Sequence, residues 1–66
     1  MTIETEREED GRWLAEVLEI AGGLTYGATR EQAIANAQAL ALRAIAERLE
    51  QDEEVPELAG VFSVAA

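Results

Sequence analysis

The sequence predicts a two-layer α+β domain with the element order β-β-β-α-β, one long helix packed on a small sheet. Three observations predict it. Two stretches of strand composition flank an Asp10-Gly11 turn. A Thr29-x-x-Gln32 capping box opens a long run of helix formers. The chain has only 66 residues, enough for one small core and a single domain over residues 1–66.

Residues 2–9 interleave Thr and Ile with charges, the composition of a strand with one face in water and an edge guarded by charge. Asp-Gly is the dipeptide preferred by a two-residue type I′ hairpin turn, whose central residues both take positive φ. The second strand, residues 12–20, then places Trp13, Ala15 and Val17 on one face and Leu14, Glu16 and Leu18 on the other. Ala21-Gly22-Gly23 breaks it, and residues 24–27 form a short third strand.

Thr29 reads as the N-cap of a helix over residues 30–51, with Glu31 in the first turn, where the helix dipole favours negative charge. Seven alanines lie between Ala33 and Ala46, favourable in propensity but poor in apolar volume. At 100° per residue, Ile34, Ala41, Leu42, Ile45 and Leu49 share the sector expected to cover the sheet, opposite Asn36, Arg43, Glu47 and Glu50. The flanking stripe Ala33, Ala37, Leu40 and Ala44 reads either as a self-association surface or as helix-favouring surface alanines. After an acidic loop containing Pro56, residues 60–64 (Gly-Val-Phe-Ser-Val) have the composition of a last strand. A right-handed crossover would lay it parallel to the first strand, in the sheet order 3-2-1-4.

Composition narrows function. Fourteen acidic residues face five arginines, and lysine and histidine are absent, giving a net charge of −9. Such a surface repels phosphates, so direct nucleic-acid binding is not expected and a basic protein partner is. Without His or Cys there is no imidazole base, thiolate, zinc cluster or Ser-His-Asp arrangement, so neither an enzyme nor a cofactor is expected. Asp52, Glu53 and Glu54 lack the glycine and spacing of a calcium loop and read as solubilising. The acidic N-terminal stretch is unlike a signal peptide and no apolar run is long enough to span a bilayer, so a cytoplasmic protein is expected. With no disulfide and three aromatics, Trp13, Tyr26 and Phe62, a homodimer or higher homo-oligomer is expected.

From Asp10 to Ile45 the chain resembles the N-terminal domain of HicB-type antitoxins. Asp10, Gly11, Trp13 and Ala15 match a first block, Ile20 to Gly23 stand for a second, and Thr25, Gly27, Thr29, Glu31, Ala33, Asn36 and Ala37 match a third. The sequence departs from the family in having Leu18 and Ala21 where prolines are usual and Gly23 in place of a frequent Cys. The resemblance implies a partial ribonuclease-H-like fold, self-association, and neutralisation of a small basic messenger-RNA-cleaving toxin of the HicA type. Family members also carry a C-terminal DNA-binding module for which 66 residues leave no room, so repression of an operon is not expected of this chain alone. Glu4, Glu6 and Glu8 are candidates for the acidic partner-binding face, or else a solvated strand. Trp13 is either an interface anchor or the main packing residue of the sheet. The alternative function is a structural or regulatory oligomeric domain that keeps the fold without a toxin.

Overall fold

A computed structural model describes residues 1–65. Strands β1 (Ile3–Arg7), β2 (Trp13–Val17) and β3 (Leu24–Gly27) form an antiparallel sheet in the order β1-β2-β3, followed by helix α1 (Arg30–Glu50). The fold is α+β, with α1 lying mainly over β2 and β3.

Register assigns the two faces. Ile3 pairs with Val17, Thr5 with Ala15 and Ala15 with Thr25, and these residues face the helix. Glu4 pairs with Glu16 and Glu16 with Leu24, while Glu6 pairs with Leu14 and Leu14 with Tyr26. These two rows form the face that the helix leaves open.

The first turn is not the two-residue type I′ turn expected of Asp-Gly. The Glu8 N–H donates to the Arg12 carbonyl and the Gly11 N–H to the Glu8 carbonyl, enclosing Glu9, Asp10 and Gly11. Only Gly11 has positive φ, at 91°. This is the three-residue pattern of a tight turn closed by a left-handed glycine. The Asp10 carboxylate favours it by accepting from the Arg12 N–H at 3.0 Å and from Arg12 Nε at 2.7 Å.

The start of α1 follows the capping expectation. The Gln32 N–H donates to Thr29 Oγ1 at 3.0 Å, and Gln32 Oε1 accepts from the Ala28 N–H at 2.9 Å, one residue before the cap. At its other end the Asp52 N–H donates to the Leu49 carbonyl and the Glu53 N–H to the Arg48 carbonyl. Asp52 sits between them at φ 59°. These two bonds make a Schellman closure, with Asp52 where glycine is usual.

The core is small-sided. Ala15, Val17, Ala33 and Ala37 are fully buried, Ala41 and Ile45 nearly so, with Ile3, Trp13 and Ile20 packed around them. The helix therefore meets the sheet through Ala33, Ala37, Ala41 and Ile45, which recur every fourth residue. The expected sheet-covering sector is rotated: Ala41 and Ile45 belong to it, but Leu42 is 66% exposed and Leu49 49%. Close approach of the backbones decides this. A Cβ on Gly27 would stand 2.4 Å from the Ala33 nitrogen, and the Thr25 hydroxyl reaches the Ala33 carbonyl at 3.0 Å. At that spacing there is room for little more than a methyl group where the first turns of α1 cross β3.

The expected fourth strand over residues 60–64 is not formed. A 3₁₀ turn, Pro56–Leu58, folds back on the helix end, where Glu57 meets Arg48 at 3.6 Å. Gly60 then turns the chain at φ 81°, and Val61, Phe62 and Val64 are exposed. A helix of 21 residues is about 31 Å long while a five-residue strand covers about 17 Å, so α1 overruns the sheet. The tail accordingly emerges past the sheet instead of beside it.

Candidate protein-binding face on the open side of the sheet

The open sheet face is split by chemistry. Glu4 and Glu6 of β1 and Glu16 of β2 are exposed on its β1 side. Leu24 and Tyr26 of β3 are 42% and 43% exposed on the other, with half-buried Leu14 between. Arg12 continues the β2 row and lies over the Tyr26 ring, 4.7 Å from its centroid, while its Nε holds Asp10. The Tyr26 ring is thereby held across the apolar side by a cation–π contact.

The acidic side has no cationic side chain paired with it: the ion pairs among the described residues are Arg12 with Asp10 and Arg48 with Glu57. Opposed Glu4 and Glu16 repel each other, and a like-charge pair directly across two strands is destabilising. An approaching cationic side chain would relieve that repulsion. Two further carboxylates are held below their usual range. The Arg12 backbone N–H and then its side chain lower Asp10, and the Thr2 N–H, donating to both oxygens of Glu19, lowers that group.

The sequence candidates are divided between places. Glu4 and Glu6 lie on the open face. Glu8 sits at the mouth of the turn, beside a depression shared with Glu6, Arg7, Glu9, Asp10 and Arg12. Trp13 faces the helix, packs against the core cluster and lies opposite Gly27, so the structure does not bring it together with Glu4 and Glu6. Of the proposed self-association stripe, Ala33 and Ala37 are 0% exposed beneath the chain's own sheet, whereas Leu40 and Ala44 are half-buried. Ala33 and Ala37 therefore present no surface to a second chain. Sequence reasoning missed Leu14, Glu16, Leu24 and Tyr26 as companions of Glu4 and Glu6. The signal was the β2 alternation, since a core built on Ala15 and Val17 leaves Leu14 and Glu16 outside.

Asp52, Glu53 and Glu54 are exposed and do not converge. Among the described residues no group of three or more acidic side chains is arranged to hold a metal ion. No helix among them is long and apolar enough to cross a membrane. Comparison with family models, curated proteins and solved structures gave no match.

Proposed function

We propose that the chain is a non-catalytic protein-binding domain of the antitoxin type, whose open sheet face receives a small basic partner. The observation that carries the proposal is the pairing register, which sets Glu4, Glu16 and Glu6 beside Leu14, Leu24 and Tyr26 on one uncovered surface. Such a surface combines the two terms that make an interface. An apolar aromatic centre supplies affinity, and an acidic flank supplies steering and selection of a cationic surface.

The net charge of −9 and the resemblance to HicB-type domains, with their partial ribonuclease-H-like fold, favour a HicA-type ribonuclease toxin as that partner. Binding would place carboxylates where the toxin would otherwise hold RNA phosphates. Titration with a purified HicA-type toxin tests the reading. The expected result is micromolar or tighter binding that weakens with added salt and with Tyr26→Ala. Absence of binding at low salt would overturn it. The second reading, an oligomeric structural or regulatory domain without a toxin, is favoured by the exposed apolar segment Val61–Val64.

A further inference from the structure

We propose that residues 61–64 of one copy add as a fourth strand to the β1 edge of a second copy, with Phe62 entering the groove between β1 and α1. Four observations converge on this occupant.

The first is the free edge. The Leu18 N–H donates to the Thr2 carbonyl and the Glu8 N–H to the Arg12 carbonyl, so the even-numbered residues of β1 direct their backbone groups toward β2. Antiparallel alternation then points the N–H and C=O groups of Ile3, Thr5 and Arg7 outward. Among the described residues these groups have no backbone partner.

The second is the groove beside that edge. It has a volume of about 380 Å³ and is lined by Met1, Ile3 and Val17 from the sheet side and Ala41, Leu42 and Ile45 from the helix. Because α1 lies mainly over β2 and β3, the helix side of β1 is covered less than that of the other two strands. Leu42, at 66% exposure, forms part of its wall.

The third is a segment of matching length and chemistry that covers nothing in its own chain. Val61, Phe62 and Val64 are 61%, 73% and 96% exposed, and Phe62 is the only phenylalanine in the chain. The long dimension of the molecule is 52 Å, well beyond the roughly 31 Å of the helix, in keeping with a tail that leads away from its own sheet.

The fourth is charge. Two copies of a chain with net charge −9 repel, and β1 carries Glu4 and Glu6. Residues 58–65 contain no charged side chain, so this exposed segment of a second copy brings no further carboxylate side chain to the acidic edge. Strand addition supplies backbone hydrogen bonds for affinity, and alternate side chains filling a groove supply specificity.

Sedimentation equilibrium of the full chain at micromolar concentration, combined with amide hydrogen exchange, tests the proposal. The expected result is a dimer of about 14 kDa, twice the 7.1 kDa of one chain, with slow exchange at Ile3, Thr5 and Arg7. Phe62→Asp and Val64→Asp are each expected to give a monomer of unchanged helix content in which those three amides exchange at least tenfold faster. Both positions are exposed in the single chain, so the variants should fold. A monomer with protected edge amides would mean that the tail folds onto its own sheet. A dimer with unprotected edge amides, or one that survives both substitutions, would mean that copies meet elsewhere. Each of these results, or an unprotected monomer, overturns the proposal.

Discussion

Glu4 and Glu16 stand directly across from one another on neighbouring strands, on the face of the sheet that no helix covers. Their mutual repulsion gives the face a measurable signature. Glu16→Lys replaces a like-charge pair with an opposite-charge pair and should raise stability by about 0.2–1 kcal/mol. The same substitution should slow association with a basic partner and flatten its salt dependence. Urea denaturation and stopped-flow binding check the two effects in one variant. Higher stability together with unchanged binding would show that the acidic side of the face takes no part in recognition.

On the apolar side, Leu24 and Tyr26 are more than two-fifths exposed in the single chain. Tyr26→Ala should therefore change stability little, mainly through loss of the Arg12 stack, while weakening partner affinity by about tenfold or more. Calorimetric titration beside thermal unfolding separates the two quantities.

Gly27 is the contact point between β3 and the first turn of α1. Atoms of the Ala33 backbone, which cannot rotate aside, lie 2.4 and 2.9 Å from the place a Cβ would occupy. Gly27→Ala should cost about 2–3 kcal/mol as the helix is forced off the sheet. Denaturant titration would show the midpoint falling, and Gly11→Ala offers a contrast that depends on φ alone.

Much of this architecture was legible because it is local. The capping box at Thr29 and Gln32, the break at Gly22-Gly23 and the alternation through Trp13, Ala15 and Val17 are fixed by neighbours in sequence. The buried face of α1 was less legible, because hydrophobic periodicity gives weight to Leu42 and Leu49, whereas the close approach at Gly27 selects alanines. The segment Val61–Val64 has strand composition, but a strand needs an edge to pair with, and the overrun of the helix decides which edge it meets. In the candidate site, Glu4 and Glu6 were readable from composition. Their union with Leu24 and Tyr26 depends on a register that spans two turns, one of which is not the turn its dipeptide favours.

Asp52 closes the helix in a left-handed conformation that costs most residues about 1–2 kcal/mol and glycine nothing. It also places a negative charge at the negative end of the helix dipole. Asp52→Gly should raise stability by about 0.5–1 kcal/mol, read as a shift in urea midpoint at constant slope.

Acid should loosen the sheet at two points. Asp10 and Glu19 titrate below their ordinary values because each carboxylate accepts backbone N–H groups in the folded chain. The stability each contributes is complete above its unfolded value and is lost as pH falls through the lowered folded value, below about pH 4. Asp10→Asn and Glu19→Gln should each flatten the acid limb of a stability-against-pH profile and leave its neutral region nearly level.

The alanine face of α1 has a consequence for the thermodynamics of ordering. Ala33, Ala37, Ala41 and, across from them, Ala15 have no side-chain torsion to immobilise, so four of the six buried core residues become ordered without loss of rotamer freedom. A short chain that buries little apolar surface thus also gives up little side-chain entropy. Its native state is set by how closely two backbones can lie together, and enlarging any one of these methyl groups would be felt at once by both layers.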